Sequence, residues 1–259
     1  MNEPLYSKLE ENLELLKLKQ MCLHLQEAIN QSVVGEASFV EILYELTEHE
    51  LKLRAQNAIN AFVRVGNFPH NKGLEDFDFN FQPTVSLSQM NAFAQREFLK
   101  AYENIIFIGP SGVGKTHLAT AIGLSCAKNR ESIYFIKCHD LIQNLRRARL
   151  ENRLEDRLKY YSKYKLLIID ELGYLPISDE DAKLFFQLVD KRYEKKSTIL
   201  TTNVDFRHWG DEVFGEPKIA NAILDRLLHH AHVIPIVGES YRLKDFSMHE
   251  DWRKWVFLS

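Results

Sequence analysis

Apolar residues at Leu5, Leu9, Leu13, Leu16, Leu23 and Ile29 recur at helical spacing, with lysine and glutamate filling the positions between them. This pattern predicts one long amphipathic helix from Leu5 to about Ser32. A second helix is predicted from Ser38, whose hydroxyl can cap it while Glu41, three residues on, reaches back. Leu43, Leu46, Leu53 and Ile59 carry that helix towards Val65. The stretch Gly66-Asn67-Phe68-Pro69-His70-Asn71-Lys72-Gly73 is dense in residues that interrupt helices and strands and marks a boundary. Residues 1–66 are therefore read as a small all-helical N-terminal domain, 67–85 as an extended linker and 86–259 as the main domain. Within the linker, Phe77, Phe79 and Phe81 alternate with polar residues, which predicts an extended segment over 74–81 lying across the main domain.

Beyond the linker, helices are predicted over 86–102, 115–129, 139–160, 178–196 and 217–230. Between them fall short, nearly all-apolar runs at 105–108, 132–136, 166–169, 198–202 and 232–236. Strands without a polar face, interleaved with helices, indicate an α/β fold whose central parallel sheet is flanked by helices on both faces.

Composition narrows the function only slightly. Among 259 residues, 33 basic and 36 acidic side chains leave a net charge of −3, and 45% of residues are hydrophobic, which excludes a disordered chain and a uniformly basic nucleic-acid coat. Any polyanion must be bound locally. No apolar run approaches the roughly 18 residues that cross a bilayer, and Met1-Asn2-Glu3-Pro4 lacks a signal-peptide layout, so a cytoplasmic protein with no membrane partner is expected. Cys22, Cys126 and Cys138 are scattered, outside metal-binding spacing, and read as small hydrophobes.

The chemistry enters at Gly109-Pro110-Ser111-Gly112-Val113-Gly114-Lys115-Thr116, a full phosphate-loop pattern between a predicted strand and a predicted helix. Inward-turned backbone N–H groups and the positive end of the following helix suit phosphate oxygens. Nucleotide contacts are assigned to these eight residues and the adjacent His117, with Lys115 on the outer phosphates and the Thr116 hydroxyl on magnesium. The cofactors called for are ATP and Mg2+. Leu166-Leu167-Ile168-Ile169 then delivers Asp170-Glu171 to a strand end, where ligands collect in open parallel sheets. Asp170 suits a magnesium role, and Glu171 can polarise an attacking water. Asn203, after the strand ending Thr201-Thr202, can hydrogen-bond a terminal phosphate or that water.

In this order the motifs resemble the AAA+ ATPases of the initiator and helicase-loader clade. They are most similar to the IstB-type helpers of insertion-sequence transposases, through the phosphate loop with His117-Leu118-Ala119, Leu167 to Pro176, Ile223 to His232, and Gly238 to Leu243. The resemblance covers roughly residues 74 to 245. It implies that Arg226 is an arginine finger entering a neighbouring subunit's site and that Arg242 senses the subunit's own nucleotide. Chemistry alone leaves each arginine open to a surface ion pair. Only seventeen residues follow Arg242, so the helical lid domain of larger AAA+ proteins is not expected, and closure falls to a neighbouring subunit and the 74–81 segment.

Between 141 and 165 the chain is locally basic. Arg146, Arg147, Arg149, Arg153 and Arg157 are the candidate contacts to duplex DNA, through the backbone rather than the bases, with Tyr160, Tyr161 and Tyr164 interleaved. A solvated helix face is the alternative. The resemblance implies an ATP-dependent helper that forms a ring or spiral homo-oligomer on duplex DNA and engages a transposase encoded alongside it. A DnaC-type replicative helicase loader, a small-molecule P-loop kinase and a nucleotide-gated scaffold remain as rivals.

Overall fold

The computed structural model describes residues 3–35 and 37–244. The leader reading, which used Met1 and Asn2, rests partly outside these residues, and the absence of a lid after Arg242 concerns 245–259, also outside them. The chain divides into two compact units between Ala61 and Phe62.

The first unit holds α1 (Glu3–Leu15), α2 (Lys19–Val34) and most of α3 (Phe39–Val65). The single helix expected from Leu5 to Ser32 is thus two helices. The chain reverses at Leu16–Leu18, where Lys17 adopts a left-handed backbone (φ 59°) and the Leu18 N–H returns to the Leu13 carbonyl at 2.8 Å. Helical spacing persists across this turn because periodicity records position rather than direction. Glu50, buried on α3, accepts the Gln20 N–H at 2.9 Å, so a carboxylate satisfies an orphan donor at the start of α2. The predicted capping box forms, with Ser38 N–H donating to Glu41 at 2.7 Å and Glu41 N–H to the Ser38 hydroxyl at 3.3 Å.

In the second unit the 74–81 segment is not extended. It forms a 3-10 turn over Leu74–Asp76 and then bends again. The cause is local: Asp76 accepts the Gly73 N–H at 2.8 Å and Asp78 accepts the Phe81 N–H at 3.0 Å, which folds the chain into side-chain-stabilised turns. Phe77 and Phe79 consequently pack edge to face, and Phe81 turns to lie edge-on to Tyr241. The helix expected over 86–102 is α4 (Leu87–Ala94) and α5 (Glu97–Lys100), broken at left-handed Arg96.

Five strands follow: β1 (Asn104–Ile108), β2 (Ile133–Lys137), β3 (Leu166–Leu172), β4 (Ser197–Thr202) and β5 (Ala231–Pro235). All pair in parallel in the order β2-β3-β4-β1-β5. The helices between them are α6 (Lys115–Lys128), α7 (Cys138–Leu150), α8 (Leu154–Ser162), α9 (Asp179–Arg192) and α10 (Pro217–Leu228). The stretch expected as one helix over 139–160 is split into α7 and α8 by left-handed Asn152. Alternate strand residues feed two cores. Ile106, Leu167, Ile169 and Leu200 pack with α7 to α10, while Ile105, Phe107, Leu166, Ile168 and Ile199 pack with α4 to α6. Burial pushes the thiols of Cys126 and Cys138 up to about 12, in keeping with inert packing groups.

Arg192, the last residue of α9, is buried and has no carboxylate partner among the described residues. It donates to the carbonyls of Tyr161 (2.9 Å), Tyr164 (3.0 Å) and Ser197 and to the Thr198 hydroxyl, joining the end of α8 to the start of β4. A cation at a helix C-terminus answers carbonyls that have no intrahelical donor. Arg192→Met should strand those carbonyls and cost about 3 kcal/mol. Urea denaturation checks this, and an unchanged midpoint would remove the buried guanidinium from the fold's support.

Candidate nucleotide-binding site

The phosphate loop leaves β1 at Ile108 and enters α6 at Lys115. Its backbone is held from two sides, by Gly109 N–H to the Thr202 carbonyl (3.2 Å) and Tyr241 N–H to the Gly112 carbonyl (2.9 Å). Two glycines are required sterically. A Cβ at Gly109 would lie 2.1 Å from the Ile236 carbonyl oxygen, and Gly114 combines φ 98° with an approach to the Phe77 ring that a Cβ would bring to 2.5 Å. Val113 is buried beneath the loop. The loop opens on a cavity of about 410 Å³ lined also by Glu171, Thr201, Thr202, Asn203, Tyr241 and Arg242 and by Asp76, Phe77 and Asp78.

Lys115 lies over its own loop, donating to the carbonyls of Gly109 (2.7 Å) and Pro110 (2.6 Å). Its pKa is lowered, chiefly by burial and further by the nearby Arg242 cation, against the opposing pull of Asp170. A lysine and an arginine lining one cavity favour an anion between them.

Asp170 is buried at the centre of a hydroxyl bridge. Thr116 Oγ1 donates to its two oxygens, at 2.8 and 3.1 Å, and Thr201 Oγ1 donates at 2.6 Å. Burial raises its pKa, and both hydroxyls work against that rise. Since the Thr116 proton is committed to Asp170, Thr116 has oxygen lone pairs left to offer. Those lone pairs and a buried carboxylate are the donors magnesium takes.

Glu171 is turned away from its neighbour by a β-bulge. On β3 Ile169 pairs with Leu200 and Leu172 with Thr202, so Asp170 and Glu171 together face Thr201 alone. Glu171 takes the left-handed conformation (φ 62°), its N–H donates to Thr201 Oγ1 at 2.9 Å, and its carboxylate meets Lys137 Nζ at 2.9 Å. That contact is the first cause of the raised Lys137 pKa. His117 also lines the cavity, and its Nε2 must donate to the Gly73 carbonyl at 2.8 Å, because a carbonyl can only accept.

A phosphate loop, a buried strand-end aspartate and an adjacent glutamate thus share one cavity. Residues 11–248 match the family described as IstB-like ATP binding protein. The chain belongs to that family. It is 62% identical to the insertion sequence IS232 ATP-binding protein of Bacillus thuringiensis subsp. berliner over 247 residues, covering 95% of this chain and 98% of that protein. Against the insertion sequence IS21 ATP-binding protein of Pseudomonas aeruginosa it is 42% identical over 238 residues, 92% of this chain and 89% of the relative. The crystal structure of the DnaC helicase loader aligns at a TM-score of 0.52 and 24% identity, over 71% of this chain and 99% of that one, a likeness of fold that agrees with an AAA+ domain.

In this IstB-like chain the remaining expected residues are dispersed. Arg226 does not line the cavity; on α10 it donates to Asp190 at 2.8 Å and to the Ala222 carbonyl at 3.1 Å, with its guanidinium over the Phe186 ring. The five basic-helix arginines do not form one free stripe. Arg146 pairs with buried Asp181, Arg149 with Glu180 at 2.8 Å, and Arg153 with Glu151. Arg147, Arg153 and Arg157 line a groove beside Tyr160, with Glu151 and Asp156 in the same wall. Tyr161 and Tyr164 are buried. Among the described residues no helix is long and apolar enough to cross a membrane.

Sequence reasoning missed Lys137, whose importance depends on β2 lying beside β3, and the roles of Thr201, Phe77 and Asp78. The aspartates at 76 and 78, flanking Phe77, were the available signal for a folded turn.

Because burial raises the Asp170 pKa, the folded state favours its protonated form, and the stability that form contributes is lost as pH rises through the folded pKa. Removing the charge should therefore help the nucleotide-free protein at neutral pH. Asp170→Asn is expected to raise its thermal midpoint. A lowered midpoint with a native circular dichroism spectrum would contradict this account of the buried carboxylate.

Proposed function

We propose that this chain is an ATP-hydrolysing helper of an insertion-sequence transposase, acting in the cytoplasm. With ATP it assembles as a ring or spiral on duplex DNA and recruits or stimulates the transposase. The observation that carries the reading is the split pair at the bulge, with Asp170 bound by two threonine hydroxyls and Glu171 turned out to the cavity wall, beneath a phosphate loop in a chain of the IstB-like family.

Lys115 exchanges its two loop carbonyls for outer phosphate oxygens, a stronger charge-assisted partner. Thr116 and Asp170 would hold magnesium, which when bound would neutralise charge at the phosphates. Glu171, released from Lys137, orients a water and accepts its proton as the water oxygen bonds to the terminal phosphorus and the bond from that phosphorus to the bridging oxygen breaks, its electron pair leaving with ADP. The Asn203 amide and the Arg242 guanidinium line the same cavity and suit the terminal phosphate. Arg226, which does not line its own chain's cavity and pairs with the exposed Asp190, suits action on a neighbouring subunit's nucleotide.

For DNA, Arg147 and Arg157 are the best supported of the five arginines, since neither has a carboxylate partner among the described residues. Arg146, Arg149 and Arg153 would have to exchange their carboxylates for phosphate. The helical domain read over residues 1–66 suits contacts to DNA and to neighbouring subunits.

Light scattering of the protein with duplex DNA tests this under ATP, ADP and no nucleotide. Large, salt-sensitive assemblies are expected with ATP alone. Glu171→Gln should assemble yet hydrolyse at least about 100-fold more slowly, whereas Lys115→Ala should not assemble. Arg226→Ala should bind ATP but fail to hydrolyse it cooperatively, with partial recovery on mixing with Lys115→Ala. A protein that stays monomeric with ATP and DNA, or hydrolysis unchanged in Glu171→Gln, would overturn the proposal.

A further inference from the structure

Away from the nucleotide cavity, the ends of α9 and α10 bring together three donors that no step above uses. Glu194 follows α9 with a left-handed backbone (φ 55°), and its Oε1 lies 3.8 Å from His229 Nδ1 and 3.6 Å from His230 Nε2. One ligating atom from each of the three residues lies within 4.8 Å of the others. The two imidazole rings are only 4.0 Å apart, though adjacent residues in a helical conformation normally diverge. The Tyr193 hydroxyl sits 2.6 Å from His229 Nδ1, and its ring stacks on that imidazole.

As an ion-pair cluster this arrangement is poor. Two protonated imidazoles in contact repel each other, and a single exposed carboxylate offsets little of that. A divalent cation reverses the balance, because both rings then bind as neutral donors and their closeness becomes chelation. Zinc takes imidazole nitrogen and carboxylate oxygen at about 2.0–2.2 Å in a tetrahedron, which sets donors roughly 3.3 Å apart. The two observed separations exceed that by a few tenths of an ångström, and all three side chains are exposed and can rotate inward. Two nitrogens with one oxygen favour zinc, nickel or copper over magnesium and calcium, which select oxygen.

We infer that Glu194, His229 and His230 form a binding site for a zinc-class divalent metal ion, with water completing the shell. The site lies about one helical turn along α9 and α10 from the Asp190–Arg226 ion pair, so a bound ion would fasten together the two helices that carry that pair.

The test uses full-length, tag-free protein titrated with zinc by calorimetry and with cobalt by visible absorption. Zinc should bind once per chain, raise the thermal midpoint, and persist in excess magnesium. Glu194→Gln and His230→Ala should each weaken binding on the order of tenfold or more and lose the cobalt bands. His24→Ala, at the stacked His24–His49 pair, should behave as wild type. Metal-free midpoints of the variants should match wild type, since these side chains are exposed. Absence of binding at about 100 µM zinc, or binding unchanged when both histidines are replaced by alanine, overturns the inference.

Discussion

A buried carboxylate shared between two threonine hydroxyls holds this molecule's chemistry in register. Asp170 stands near the middle of the sheet, bonded on one side to Thr116 at the start of the helix after the phosphate loop and on the other to Thr201 on the neighbouring strand. Burial alone would drive the carboxyl towards its neutral form, and the two hydroxyls oppose that shift while fixing the loop, β3 and β4 against one another. The bulge then separates two neighbouring carboxylates. Thr201 both donates to Asp170 and accepts from the Glu171 backbone, so one side chain buries the first acid and redirects the second.

The distribution of charge follows a similar division. Arg146, Arg149 and Arg226 each meet a carboxylate of α9. Inside the cavity, by contrast, Lys115 donates to carbonyls, and its neighbours include the guanidinium of Arg242. Part of the positive charge on the helical face is therefore neutralised, while the cavity keeps Lys115 and Arg242 where phosphates would sit.

The parallel sheet was legible because its strands are apolar on both faces, and the phosphate loop and Asp170-Glu171 because their residue types leave few other uses. The helix breaks were not. Lys17, Arg96 and Asn152 turn the chain through left-handed conformations without glycine or proline, so the helical spacing on either side reads as continuous. The aromatic alternation of Phe77, Phe79 and Phe81 misled for a related reason: Asp76 and Asp78 fold that backbone by hydrogen bonds that a hydrophobicity pattern does not register. Lys137 depends on strand order, and the carboxylates that engage Arg146 and Arg149 come from a helix distant in sequence. Neither relation exists until the chain has folded.

The lashing of the phosphate loop to the chain's later residues has a mechanical consequence. Tyr241 is fastened to Gly112, Gln82 to the Glu239 carbonyl at 2.8 Å, and Asp78 to Lys244. These bonds make three sequence-distant stretches a single linkage that connects Gly112 to Asp78 without crossing the sheet. A nucleotide's outer phosphates would thus pull on the chain's surface as well as on the groups they touch, giving the protein a lever on whatever rests against that surface.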